Sequence, residues 1–229
     1  MESMRWMRKF GVLAVLTATT ALAQIGRGES NADRLGLKVW DISDSISFGH
    51  NKGCRTRDSV DVLVIHSNFH VGQSPYDMHG CIEQFQAYNV SPHYLITREG
   101  DIVRMVKEHD VAWHAGRSSM PVPYQSPYGH GSSASSHGTI YSLNNSSIGI
   151  EIINTMLKGP NMFQYKALLL LCQRLVEEWG IRYVVRHSDI APGRKTDPWL
   201  LDWDRLEQDL TRLSGRDDLL FPRATYGIQ

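Results

Sequence analysis

The chain has 229 residues, 41% of them hydrophobic and 21% charged, a length and balance suited to one soluble domain with a full core. Its 24 Lys and Arg offset 24 Asp and Glu, so no overall field draws in nucleic acid or an anionic membrane. A polyanion partner is not expected.

Arg5, Arg8 and Lys9 precede an apolar run from Phe10 to Ala23 that closes on Ala21-Leu22-Ala23 before Gln24. That order of charge, apolar stretch and small-x-small site predicts a secretory signal peptide over residues 1–23, with export to the periplasm or beyond. The run is short for a membrane span, so no stable membrane insertion is expected after its removal; an uncleaved anchor is the alternative. No cysteine follows it to carry a lipid.

Residues 24–59 read as an N-terminal arm with one apolar patch at Leu35 to Ile42, and residues 60–213 as a single catalytic domain. Val60 to His66 is a β-branched strand, and Asp77 to Tyr88 a helix with Met78, Ile82, Phe85 and Tyr88 at helical spacing. His93 to Thr97 and Ile102 to Val106 flank Glu99-Gly100-Asp101 as a hairpin. From Arg117 to Leu143 the composition shifts to Ser, Gly, Pro and Tyr without period, which predicts a lid, a binding loop or a disordered segment. Ser147 to Asn154 is a buried strand, Phe163 to Trp179 an amphipathic helix stopped by Gly180, and Tyr183 to Arg186 the strand that delivers His187. Trp203 to Leu213 forms a last helix capped by Asp202, and the tail over 214–229 is expected to be loosely held. The order predicts an α/β fold, a mixed central sheet flanked by helices. Cys54, Cys81 and Cys172 allow a Cys54–Cys81 pair with Cys172 buried, or three unpaired thiols, and sequence leaves both open.

The chemistry concentrates in VLVIHS and RHSDIAPGRKTDP. His66 ends an apolar strand and His187 follows another; either alone could be a satisfied core histidine. Asp197 returns after the Ala191-Pro192-Gly193 turn, where its bland alternative is a cap or surface charge. Together two imidazoles and one carboxylate leave the fourth position of a tetrahedral zinc (Zn2+) open. Lys195 would point into the same cleft and meet a developing oxyanion, although most lysines are only solvated. Glu151, between Ile150 and Ile152, suits a general base with a pKa raised by partial burial; a structural ion pair is the alternative. His93 and His114 are candidates for substrate contact or for supporting a ligand.

In order, VLVIHS, SPHYLITREGDIVRMV, AWHAG, SIGIEIIN and RHSDIAPGRKTDP resemble the type-2 N-acetylmuramoyl-L-alanine amidases over roughly Val60 to Asp204. These are zinc enzymes that share a fold with the peptidoglycan-recognition proteins. The resemblance implies cleavage between the muramyl lactyl group and L-alanine in peptidoglycan, muropeptides or lipid-linked precursor. It also implies His66, His187 and Asp197 as zinc ligands, Glu151 as catalytic carboxylate and Lys195 as transition-state cation. Asp197, where some relatives have cysteine, points to the AmpD-like branch. His114 and Asn154 fall in motifs that line the family's cleft, and Tyr94 aligns with a tyrosine that phage-type members use; with Glu151 present that role is secondary. Trp199 stands where the family commonly has glycine and is expected to narrow the cleft. A monomer acting on peptidoglycan or muropeptide is expected. Two rival readings remain: a recognition protein that binds peptidoglycan without cutting it, and a hydrolase of some other N-acyl amide.

Overall fold

The computed structural model describes residues 37–53, 55–72, 74–127 and 142–225. In chain order these form β1 (Val39–Asp41), β2 (His50–Asn51), β3 (Val62–Asn68), α1 (Met78–Tyr88), β4 (Tyr94–Ile96), β5 (Ile102–Arg104) and β6 (Val111–Ala112). After them come β7 (Ser147–Ile153), α2 (Met162–Trp179), β8 (Tyr183–Arg186), α3 (His187–Ile190) and α4 (Trp203–Ser214). The signal-peptide reading and Cys54 lie outside the described residues, as does most of the Ser- and Gly-rich loop. Cys81 and Cys172 are buried thiols.

Six strands form one mixed sheet in the order β1-β5-β4-β7-β3-β8. Within this sheet, among the described residues, only β4 and β5 pair antiparallel, as the hairpin signal predicts; β4–β7, β7–β3 and β3–β8 are parallel, and β2 and β6 form a separate antiparallel pair. Strands buried on both faces need apolar side chains at every position, which is why β3 and β7 read as continuous runs without alternation. On one face Leu63, Ile65, Ile148, Ile150, Ile152 and Val184 pack against Leu168, Leu171 and Leu175 of α2 and Leu206 and Leu210 of α4. Each such side chain contributes roughly 1.5–3 kcal/mol on burial.

The other face is covered in two patches. At one side α1 places Cys81 and Phe85 over Leu95, Val103 and Ile153. At the other, Val62, Val64 and Val185 meet Ala115, Met120, Tyr124, Leu143 and Ile190. Among the described residues a cleft lies between the patches.

Helix ends follow local chemistry. Asp77, Asn161 and Asp202 accept hydrogen bonds from free N–H groups at the starts of α1, α2 and α4. Gly180 ends α2 in the left-handed conformation, with φ 65°.

Two expectations about the termini change. The arm is part of the sheet: β1 pairs in parallel with β5, Val39 opposite Ile102. Residues 216–225 are not loose either. Leu220 exchanges backbone hydrogen bonds of 2.9 Å with Arg182 and Val184, Leu219 is buried, and the Ala224 N–H donates to Asp189 at 2.9 Å. An unpaired β8 edge supplies those backbone partners, and charge-rich composition hides them from the sequence.

Candidate active site

Successive strand residues point to opposite faces, so His66 shares its face with Val62 and Val64. The β3–β7 register sets His66 opposite Glu151, and the β4–β7 register sets Glu151 opposite Leu95. In β8 the same alternation carries Val185 to His187, the first residue of α3. Three parallel strands thus deliver an imidazole, a carboxyl and an imidazole at their C-terminal ends.

Asp197 is brought back by the turn. The Ala191 carbonyl accepts from the N–H groups of Arg194 and Lys195 at 3.1 and 3.0 Å, and Gly193 takes φ 75° to make the reversal. Ser188 N–H then donates to the Asp197 carbonyl at 2.9 Å. The Asp197 carboxylate consequently lies 3.0 Å from His187 Nδ1 and 3.6 Å from His66 Nδ1, both measured to Oδ2. Ser67 N–H donates to the same oxygen at 3.3 Å.

His66, His187 and Asp197 are buried, and one donor atom from each lies within 4.8 Å of the others. Tetrahedral zinc with bonds near 2.0–2.1 Å would separate its ligand atoms by about 3.3 Å. The separations of 3.0 and 3.6 Å from Asp197 Oδ2 lie on either side of that figure. His66 Nδ1 is also buried without a hydrogen-bond partner, a condition that costs free energy unless something binds the lone pair. The donor set therefore fits a divalent metal.

Electrostatics favour the ligating forms. Burial, with the neighbouring His187 adding to it, pushes His66 down to about 4, so the ring is neutral at pH 7. Burial alone would raise the Asp197 carboxyl, but the hydrogen bond with His187 and the nearby His66 ring outweigh it and hold the group far below the usual carboxylate range. Glu151 goes the other way: burial and then the Asp197 charge raise it well above an ordinary glutamate, opposed by the Lys195 ammonium. Its Oε2 has no hydrogen-bond partner. Lys195 lines the cleft half-buried, without an ion-pair partner among the described residues.

The cleft holds about 340 Å³ and is walled by Phe85, Tyr88, Trp113, His114 and Trp199 beside the charged groups. Trp199 is fixed at its rim by hydrogen bonds from its N–H to Ser67 Oγ at 3.1 Å and from Nε1 to Thr196 Oγ1 at 3.0 Å.

Of the expected substrate contacts, only His114 lines the cleft. Tyr94 precedes Leu95 and so faces the opposite side of the sheet, where its hydroxyl bonds Glu108 and accepts from Arg174 at 2.6 Å. His93 is buried; its Nδ1 accepts the Gly149 N–H at 3.0 Å and its Nε2 lies 2.6 Å from the Arg55 guanidinium. Asn154 is buried too, its amide donating to the Trp199 carbonyl at 3.0 Å and so tying down the cleft rim. His93 and Asn154 thus support the site from behind it, and Tyr94 belongs to the opposite face. Sequence reasoning missed Ser147, Asn144 and Gly149, which hold His114. Asn144 Oδ1 accepts from the N–H groups of His114 and Ala115 at 3.1 and 2.8 Å. A Cβ at Gly149 would lie 2.4 Å from His114 Cγ. A glycine amid β-branched residues was the available signal.

Two imidazoles and a carboxylate converging without a thiolate, beside a carboxyl able to hold a proton, are the donor set of a metal-assisted hydrolase. Comparison with known proteins narrows the class. The N-acetylmuramoyl-L-alanine amidase family matches residues 56–199, and the chain belongs to that family. It is 32% identical over 144 residues to the 1,6-anhydro-N-acetylmuramyl-L-alanine amidase AmpD of Enterobacter cloacae, covering 62% of this chain and 68% of that protein. With the N-acetylmuramoyl-L-alanine amidase AmiD of Escherichia coli it shares 30% over 168 residues, 65% of this chain and 52% of the other. A crystal structure of an AmpD selenomethionine derivative superposes with a TM-score of 0.53 at 28% identity, covering 76% of this chain and 94% of that one. The endolysin LysCS amidase of Clostridium intestinale gives 0.52 at 17% identity over 76% of this chain and 95% of that one, a likeness of fold alone. The fold is that of the type-2 amidases, the branch is AmpD-like, and the chain is an amidase, a hydrolase.

Proposed function

We propose that the chain is a zinc-dependent amidase that cuts between N-acetylmuramic acid and L-alanine in peptidoglycan or its fragments. The observation that carries this reading is the convergence of buried His66 on His187 and Asp197, which line one cleft with Glu151 and Lys195. Held by His66, His187 and Asp197, zinc would supply Lewis acidity, polarising a carbonyl and making water more acidic.

The remaining work falls to this chain's own groups. Glu151, raised by burial, accepts a proton from the attacking water and can return it to the leaving L-alanine nitrogen. The Lys195 ammonium meets the oxyanion as it forms. Trp113, Tyr88 and Trp199 supply apolar faces on which a sugar ring or lactyl group can lie while His114 stands at the floor. A recognition protein that binds without cutting has no use for an unpartnered, protonatable carboxyl beside three converging donors.

Export belongs to the same proposal, on the strength of Arg5 to Ala23. The substrate would then be wall polymer, muropeptide or lipid-linked precursor outside the cytoplasm, met by a monomer. Digestion of purified peptidoglycan followed by mass analysis tests the reaction. Free stem peptide beginning with L-alanine is expected, and intact muropeptides after prolonged digestion would overturn it.

A further inference from the structure

Behind His66 lies a hydrogen-bond chain that ends on a backbone carbonyl. His66 Nε2 is 3.0 Å from His114 Nδ1. His114 Nε2 is 3.2 Å from Ser147 Oγ, and Ser147 Oγ is 2.7 Å from the Leu143 carbonyl oxygen. A carbonyl can only accept, and the serine hydroxyl has one proton, so the shorter contact takes it. Ser147 Oγ is thereby left to accept, and His114 must carry its proton on Nε2. Its Nδ1 then accepts, which requires His66 to carry its proton on Nε2. Nothing is left on His66 Nδ1 but a lone pair, directed at Asp197 and His187.

We propose that Ser147, acting through His114, is a positioning residue that sets the tautomer of His66 and so keeps Nδ1 bare for a metal. The consequence for metal binding rests on the zinc reading above; the proton order does not. The chain is held rigidly enough to act this way. Ser147, at the start of β7, is fully buried, and His114 is fixed by Asn144 Oδ1 at its backbone and by Gly149 beneath its ring. Leu143, the final acceptor, is itself buried, and its N–H donates to Ser118 Oγ at 2.9 Å. The base of the Ser- and Gly-rich loop is therefore closed by the pair that anchors the relay. Reversing every proton would aim the serine hydroxyl at His114 and put hydrogen on the atom that faces Asp197. Ligation by Nδ1 would then require a tautomer change first.

The test begins with metal-free protein labelled with 15N in histidine, because long-range 1H–15N correlations read each ring's tautomer without reference to zinc. Protons on Nε2 of both His66 and His114 are expected; a proton on His66 Nδ1 overturns the proposal. Zinc affinity by competition with a chromophoric chelator supplies the second reading. Ser147→Ala should weaken binding about 10- to 100-fold, and Ser147→Thr, which keeps the hydroxyl, should restore most of it. A Ser147→Ala protein that melts earlier when metal-free but binds zinc as tightly as the native chain would make Ser147 merely structural. If the native chain bound no zinc, the zinc reading would fail, while the tautomer measurement would still decide the proton order.

Discussion

His66 and Glu151 are directly paired across the parallel β3–β7 ladder. Cross-strand neighbours share a face, so the imidazole and the carboxyl lie side by side on the face that carries the cleft, and a slip of one residue in either strand would send one of them into the opposite core. Register, set by the apolar runs around both residues, is thus what assembles the site.

Glu151→Gln separates binding from turnover. An amide cannot take a proton from water, and the three donors are untouched, so turnover should fall about 10²- to 10⁴-fold with metal content unchanged. Metal analysis alongside peptide release checks this. Loss of zinc in the variant would place Glu151 among the ligands.

Lys195→Ala should lower turnover on the order of 10²- to 10³-fold, with a much smaller change in KM, because the charge it meets exists mainly in the transition state. Arginine should substitute poorly, since its planar fork places charge differently. Near-normal kcat with a greatly raised KM would instead make Lys195 a substrate-binding residue.

Chelation should abolish activity, and stoichiometric zinc should restore it, one ion per chain. The site contains no thiolate, so acid should strip the metal as the two imidazoles compete for protons. Full turnover in rigorously metal-free protein would exclude the zinc reading.

Gly149→Ala should both destabilise the fold and loosen the metal site. Its new methyl would stand 2.4 Å from His114 Cγ, forcing the ring off Ser147. Overpacking of this kind costs about 1–3 kcal/mol. Thermal melting and zinc competition on the same sample check it, and native values in both would show that the ring has room to move.

Acid stability carries opposite signs at two buried positions. Burial, and then the Arg55 charge, hold His93 well below the ordinary histidine value. Its contribution is therefore complete above the unfolded pKa, about 6.5, and is lost as pH falls below that. Asp61 is pushed up to about 6 by burial, against the Tyr124 hydroxyl that donates to it at 2.6 Å. It favours the fold below about pH 4 and loses that advantage as pH rises through 6. Asp61→Asn, which keeps an acceptor for Tyr124, should therefore raise the melting temperature at pH 7.5, by at most about 3 kcal/mol of stability, and leave it unchanged near pH 4. An equal gain at both values would show that the Asp61 charge is not the cause.

Much of the fold could be read along the chain. Apolar residues at helical spacing, the cap Asp202 and the stop Gly180 locate α1, α2 and α4 because these signals act within one turn of backbone. The His187-to-Asp197 pairing was legible for the same reason: ten residues with a Pro-Gly turn bring the two side chains together locally. Tyr94, His93 and Asn154 were not, since motif membership does not say which face of a strand a side chain takes. One position separates Tyr94, in the opposite core, from Leu95, aligned with Glu151.

What the sequence by itself determined is the inventory and the local geometry: which groups can bind metal or move a proton, where helices begin and end, and which runs must be buried. Tertiary structure alone decided which of those groups meet. His66 and His187 are 121 positions apart and join only because β3 pairs with β8. Ser147 could not be singled out until the fold laid His114 between it and His66, because a hydrogen-bond chain depends on distances of about 3 Å between atoms that the backbone keeps far apart in sequence.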